Sequence, residues 1–317
     1  MEDITNKETL EQPLVSIIVI TYNSSKYVLE TLESAKAQTY QNIELIVSDD
    51  CSTDNTVEIC QEWMAKNKER FVRSELITSE KNTGIPANCN RGVKAAKGEW
   101  VKFIAGDDIL IGNCISNNIK FIFKNRNVKV VYSNMLIRKM NNEKRIIYPP
   151  KELISSTHSI QYKELLKCNW INAPTVFLNK KTLIQVNGFN EKYSMIEDYP
   201  MWIKLFKLNI KWGYLNQVTA IYREQPDSLT NNSFGRNRKR YLISYLKVYR
   251  DIIYPELLKK HLFISYINFK IEHYVLKSKL IKNKNLKYLL YFKPSNISKY
   301  ARNFKKKKSS NSLYLYW

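Results

Sequence analysis

Four runs rich in β-branched residues begin near residues 14, 43, 75 and 100, and each is followed by a stretch with helical spacing. A repeat of roughly thirty residues is the length of one strand–helix–strand unit, whose helix returns the chain so that the next strand lies parallel to the last. Leu14–Ile20 (LVSIIVI) and Ile43–Ser48 (IELIVS) show little polar alternation, as strands buried on both faces do. After the first, Ser24 or Ser25 is placed to cap a helix with Val28, Leu29, Leu32 and Ala35 on one face. After the second, Ser52-Thr53-Asp54 precedes a helix bearing Val57, Ile59, Cys60, Trp63 and Met64. A third strand is expected near Glu75–Thr78, then a helix from the Asn82-Thr83-Gly84 turn to Ala96. A fourth, Trp100–Ile104, stops at Gly106-Asp107-Asp108. The predicted class is α/β: a doubly wound parallel sheet flanked by helices.

Sheets of this kind bind ligands beyond the carboxyl ends of their strands. Those ends carry Thr21-Tyr22-Asn23, Asp49-Asp50, the Asn82 turn and Asp107-Asp108. Neither G-x-G-x-x-G nor G-x-x-x-x-G-K-[ST] occurs, which excludes a dinucleotide fingerprint and a P-loop. Acids where phosphate-binding glycines would otherwise stand suggest a diphosphate bridged by Mg²⁺ or Mn²⁺. Taken singly, Asp49-Asp50 reads equally well as a helix-entry turn and Asp107-Asp108 as an exposed turn. Their occurrence at neighbouring strand ends favours a site.

The chain carries 51 Lys+Arg against 29 Asp+Glu, and the excess is local. From Arg236 to Lys308 there are 21 basic residues and three acids, whereas the rest is nearly balanced. Residues 1–235 thus read as a nearly neutral body and 236–317 as a basic helical region. In the latter, Tyr241, Leu242, Tyr245, Leu246, Val248, Tyr249, Ile252 and Ile253 recur near helical spacing, and Leu262 to Leu276 do so again. Lys305–Lys308 and the closing Leu313-Tyr314-Leu315-Tyr316-Trp317 add a basic cluster and interfacial aromatics. This combination suits an anionic membrane surface, although helices that pack on the body or form a homodimer fit the same pattern. No run of eighteen apolar residues occurs, and the acidic, polar start lacks a signal-peptide pattern. The expectation is a cytoplasmic, peripherally bound protein. Five scattered cysteines without C-x-x-C and three isolated histidines (His158, His261, His273) argue against disulfides or zinc. Trp63, Trp202 and Trp212 are expected in the core.

At this point P-L-V-S-I-I-V-I-T-Y-N (Pro13–Asn23), S-D-D-C-S-T-D-N-T (Ser48–Thr56), N-T-G…N-R-G-V-K-A-A-K-G-E-W (Asn82–Trp100), G-D-D (Gly106–Asp108) and V-N-G-F-N-E…E-D-Y-P-M-W (Val186–Trp202) stand in order. This series resembles the inverting family 2 glycosyltransferases over about the first 230 residues. The resemblance implies a GT-A fold, a Rossmann-like mixed, mostly parallel sheet flanked by helices, with a nucleotide-sugar half at about 13–110 and an acceptor half at about 111–235, in which Trp170 is expected to line the acceptor side. It places Thr21, Tyr22, Asp50 and Asn82 on the nucleotide-sugar. It sets Asp107 near the ribose and metal, and makes Asp108 the direct ligand of Mn²⁺ or Mg²⁺. Asp198 matches the general base, Glu197 helps to position the base or the acceptor, and Arg223 and Ser228 grip the diphosphate. Two positions depart from the pattern: Ala105 stands where an extra Asp is common, and Cys89 where many members have Arg.

Inversion needs an acceptor hydroxyl to attack the anomeric carbon opposite the leaving nucleoside diphosphate, with a carboxylate within reach to take its proton. The resemblance therefore implies transfer from a nucleotide-sugar, a UDP-sugar by family weight, to a glycan acceptor, and the basic amphipathic C-terminal region without a spanning helix adds the expectation of a lipid-linked glycan in bacterial surface-polysaccharide assembly. Two other classes compete. A nucleic-acid binder would use the basic region, but no nucleic-acid-binding motif is present and Asp107, Asp108 and Asp198 would be idle. A metal-dependent nucleotidyltransferase would also use strand-end acids.

Overall fold

A computed structural model of the chain describes residues 12–225 and 236–280. Among these residues nine strands form one mixed sheet: β1 (Val15–Thr21), β2 (Ile43–Asp49), β3 (Arg73–Thr78), β4 (Trp100–Ala105), β5 (Ile109–Leu110), β6 (Val130–Arg138), β7 (Lys144–Ile147), β8 (Phe177–Asn179) and β9 (Trp212–Arg223). The spatial order is β3-β2-β1-β4-β8-β6-β9-β5, with β7 paired to β6. The first four strands are parallel, as their thirty-residue repeat dictates. β8 then runs antiparallel to both β4 and β6, and β9 lies parallel to β6.

α1 (Val28–Lys36), α2 (Thr56–Asn67) and α3 (Ile85–Ala95) make the crossovers, and α4 (Cys114–Lys124) follows β5. α5 (Lys151–Ile154) and α6 (His158–Leu165) precede β8; α7 (Lys180–Gln185) and α8 (Asp198–Lys207) lie between β8 and β9. α9 (Arg236–Val248), α10 (Tyr254–Lys259) and α11 (Phe263–Leu280) end the described chain. Two compact units divide between Val248 and Tyr249, so α9 belongs with the sheet, whereas the sequence put the division before it. In the second unit the Tyr254 and Tyr266 rings of α10 and α11 meet edge to face at 5.4 Å.

Every residue of β2 is buried, and β1 is buried except for the partly buried Ile20. Val28, Leu32 and Ala35 of α1 and Cys60, Trp63 and Met64 of α2 close one core over them. Ser24 and Ser25 do not cap α1, which starts at Val28 without a side-chain cap. Their backbone N–H groups instead donate to Thr56 Oγ1 and Asp54 Oδ2, which joins the loop after β1 to the loop after β2. Lys102, in the middle of β4, is wholly buried, and its Nζ donates to the carbonyls of Pro174 at 2.6 Å and Val176 at 3.3 Å. That contact fastens the Ala173–Thr175 turn to the centre of the sheet.

Candidate active site

The loops beyond β1, β2 and β4 meet at one end of the sheet, as parallel strands require. Asp50 follows β2 and is 3% exposed. Its carboxylate accepts from Thr83 Oγ1 at 2.6 Å, Gly84 N at 2.7 Å, Thr83 N at 2.9 Å and Arg91 Nη2 at 2.7 Å. Burial pushes this carboxyl up, but the hydrogen bonds from Thr83, Arg91 and Gly84 outweigh it and hold Asp50 below its ordinary range. Asp50 therefore fixes the Thr83-Gly84 turn. Thr21 is 1% exposed and its hydroxyl donates to Asp49 at 2.7 Å, so it braces the site from behind. Tyr22 is open at 44% exposure, a face on which a base can stack. Asn82 is half-buried beside these residues; Arg240 of α9 has its Nη2 3.5 Å from Asn82 Oδ1.

After β4 the two acids take different places. Asp108 is 2% exposed, and its Oδ1 accepts the backbone N–H of Arg223 at 2.9 Å. Asp107 is only partly buried, and its Oδ2 accepts from Gln225 Nε2 at 2.9 Å. Burial raises both carboxyls, Asp108 further because Asp107 lies beside it. The more accessible carboxylate is thus that of Asp107, not the Asp108 expected to coordinate the metal directly. Arg223 stacks on the Tyr27 ring at 4.6 Å and donates to the Asp107 carbonyl at 3.0 Å and to Glu30 at 2.6 Å. It braces the turn; to reach a diphosphate it must release Glu30. Ser228 lies outside the described residues.

Glu197 and Asp198 stand at the start of α8, where the helix N-terminus favours carboxylates. Asp198 Oδ2 accepts from Asn169 Nδ2 at 2.8 Å, and Oδ1 from the N–H of Tyr199 at 2.6 Å. Burial raises both acids; Glu197, with Asp198 next to it, is pushed up to about 8. Gly84 joins this segment to the donor side. Its φ of +96° and a Cβ position only 2.5 Å from the Ser194 carbonyl admit glycine alone, and Ile85 N donates to that same carbonyl at 2.9 Å. Asn90 Oδ1 accepts from Phe189 N at 2.8 Å in the adjoining G-F-N-E. α3 thus carries Arg91 against Asp50 while its buried Cys89 lies in the field of Glu197 and Asp198. Trp170 does not line an open face: it is buried against Tyr132 and Phe206.

Arg91, Thr83, Gln225 and Asn169 escaped the sequence reading. Arg91 and Thr83 sat inside recognised motifs, and Gln225 inside the Y-R-E-Q-P-D-S run (Tyr222–Ser228) that carries Arg223 and Ser228; Asn169 had no local signal, because it acts through a partner distant in the chain.

A mixed sheet that begins with the order 3-2-1-4, strand-end acids and an acid-headed helix define a glycosyltransferase of GT-A fold. The chain belongs to glycosyl transferase family 2, whose profile matches residues 16–186. It is 34% identical over 222 residues, 70% of this chain and 81% of the relative, to the UDP-Glc:alpha-D-GlcNAc-diphosphoundecaprenol beta-1,3-glucosyltransferase WfaP of Escherichia coli. Among solved structures it resembles residues 1–349 of S. aureus TarS in complex with UDP-GlcNAc, with a TM-score of 0.59 and 20% identity over 86% of this chain and 76% of that one. It spans 43% of a longer TarS chain. The mannosyltransferase PcManGT of Pyrobaculum calidifontis, in complex with GDP-Man and Mn²⁺, gives a TM-score of 0.55 at 16% identity over 79% of this chain and 65% of that one.

Proposed function

We propose that this protein is an inverting glycosyltransferase that moves a hexosyl or N-acetylhexosaminyl group from a UDP-sugar to a hydroxyl of a polyprenyl-diphosphate-linked glycan. The product would enter a bacterial surface polysaccharide. The observation that carries the reading is α3: one helix bonds to the donor-side Asp50 and packs near the acid pair at the head of α8. The names of WfaP and of TarS with its UDP-sugar support the donor, and that of WfaP the lipid-linked acceptor.

The acceptor hydroxyl gives its proton to Asp198 as its oxygen attacks the anomeric carbon, from the face opposite the leaving diphosphate. Burial raises both carboxyls and pushes Glu197 up to about 8, so near neutrality the proton of the pair is placed on Glu197 and the charge that takes the acceptor proton is assigned to Asp198. Tyr22 stacks on the base, with Asp50 and Asn82 shaping the turn beside it. Asp107 and Asp108 suit a divalent cation: two hard oxygen donors, both raised by burial and Asp108 also by Asp107 beside it, with the Arg223 guanidinium engaged on a backbone carbonyl and Glu30. Mn²⁺ or Mg²⁺ held there, with Asp107 as its more accessible ligand, supplies the charge that stabilises the departing diphosphate.

The second unit fits apposition to an anionic bilayer at the cytoplasmic face. No helix among the described residues is long and apolar enough to cross a membrane. On α11, Phe263, Ile264, Ile267, Ile271 and Tyr274 form an exposed stripe in a strongly basic region.

The test is a screen of nucleotide-sugars with Mn²⁺ or Mg²⁺ and a short polyprenyl-diphosphate-GlcNAc acceptor, reading nucleoside diphosphate release. UDP release that Asp198→Asn abolishes supports the reading. Pyrophosphate release from a sugar phosphate and an NTP would replace it with nucleotidyl transfer.

A further inference from the structure

We infer that Asn169, in the loop between α6 and β8, is the positioning residue that aims the Asp198 carboxylate at the acceptor; this rests on Asp198 being the base. Each of the carboxylate's two oxygens accepts from one neighbouring residue among those described. One donor, the N–H of Tyr199, belongs to the same helix start and moves with it. The other, Asn169 Nδ2 at 2.8 Å, comes from a loop 29 residues away and so fixes the carboxylate's rotation about its own side-chain bonds. The amide can present only its NH₂ here, because its oxygen would set two acceptors against each other.

That orientation has a visible consequence. Among the described residues no donor reaches Asn169 Oδ1, which is buried. Buried polar atoms are almost always paired, so an unpaired carbonyl marks a side chain held in place for another contact. The surroundings hold it there. Next in sequence, Trp170 is 6% exposed, with its ring 5.5 Å from Tyr132 and 6.3 Å from Phe206. Phe206 lies on α8, the helix that Asp198 opens. In the first turn of α8, Tyr199 Oη donates to the Leu165 carbonyl at 2.8 Å, at the end of α6. The base and its amide thus sit on two elements joined by a ring contact and a hydrogen bond, the kind of support that keeps a catalytic group within a fraction of an ångström.

The other titratable groups near Asp198 are Glu197 beside it and, from α3, the Cys89 thiol, with Arg91 also acting on Cys89. Burial raises Asp198, and the Asn169 hydrogen bond is first among the contacts that lower it. Removing the amide leaves the carboxylate both freer and harder to ionise.

The test is the pH dependence of kcat/KM for the acceptor in the full-length parent, Asn169→Ala and Asn169→Asp, with UDP binding measured alongside. The base works ionised, so activity falls as pH drops through its pKa. Asn169→Ala should move that acidic limb upward by about one pH unit, the size of a hydrogen bond to a charged group. Asn169→Asp, with a second carboxylate facing the first, should move it further, while UDP affinity stays within about twofold of the parent. A lower rate with an unmoved limb makes Asn169 merely structural and overturns the inference. Should the variants fail to fold, the ¹⁵N signal of the parent's Asn169 side-chain amide decides: it should titrate with the same pKa as kcat/KM, and a signal that does not move overturns the inference. If Asp198→Asn keeps turning over, it is the reading of Asp198 as base that fails. An inactive Asp198→Asn beside an unmoved Asn169→Ala profile sinks the positioning role alone.

Discussion

Asp108 Oδ1 accepts the backbone N–H of Arg223 at 2.9 Å, so a carboxylate in the turn after β4 is bonded to the end of β9, 115 residues later. The bond closes the strand-end site on a residue too buried to meet substrate freely. It also leaves Asp108 without enough donors: burial and then Asp107 push its carboxyl well up, and Arg223 only partly offsets them. A carboxyl raised in the folded state weakens the fold as pH rises past its unfolded value, because ionisation is easier in the unfolded chain. Asp108→Asn keeps an acceptor oxygen for Arg223 and removes the charge. In EDTA at pH 8 it should therefore melt no lower than the parent. Mn²⁺ at about a hundred times its Kd should stabilise the parent by about 2.7 kcal/mol, and Asp107→Asn should lose most of that gain in thermal melts.

Asp50 and Arg91 predict the opposite behaviour. This carboxylate is held low by its donors, so its stabilisation is present above the unfolded pKa of about 3.9 and is lost as pH falls through the lower folded value. Glu44 behaves alike: burial raises it, but Ser16, the Lys97 and Gly98 N–H groups and Arg73 together bring it below its usual range. Arg91→Ala leaves Asp50 buried without its cation and should cost about 3 kcal/mol in denaturant melts at pH 7. That difference should shrink as pH falls below the unfolded value, because the stabilisation disappears as Asp50 takes up a proton.

What could be read from the sequence followed the range of each physical signal. The four parallel strands were legible because a fully buried strand and its crossover helix are written in adjacent residues, and the observed β1 to β4 lie within two residues of their expected starts. The motifs of glycosyl transferase family 2 were legible for the same reason. The crossing of β8 antiparallel between β4 and β6 was not, since three residues of Phe177–Asn179 carry too little pattern. Nor was the wholly buried Lys102, whose charge satisfies two carbonyls 72 and 74 residues away. The reversed exposure of Asp107 and Asp108 depends on the bond to Arg223, and adjacent identical residues offer no sequence clue to it. Ala105, a departure from the family pattern, is exposed at the end of β4, so the acid missing there leaves no hole in the core.

The stripe on α11 makes a membrane prediction that does not depend on catalysis. Ile264 and Ile267 are 79% and 55% exposed, and each buried aliphatic side chain contributes about 1.5–3 kcal/mol to insertion at an interface. Replacing both with Asp should lower the fraction that floats with anionic liposomes at least tenfold. Turnover of a water-soluble acceptor analogue should be unchanged. Equal flotation of parent and variant would remove α11 from the membrane contact.

Glu197 gives a stability profile of distinctive sign. Burial first, then Asp198, push its carboxyl up to about 8, against about 4.3 in an unfolded chain. Between those values the folded protein holds a proton that the unfolded chain has released, so stability declines as pH climbs from about 4.3 to about 8 and then levels off. The contribution is complete below the unfolded value and gone above the folded one. Glu197→Gln carries no such proton and keeps a neutral side chain at every pH. The variant and parent should melt alike at pH 4, and the variant should melt higher at pH 9, in scans at fixed ionic strength. If the variant instead melts lower at both, Glu197 holds the helix start through its hydrogen bonds and not through its protonation state. The single charge assigned to Asp198 near neutrality would then need another source.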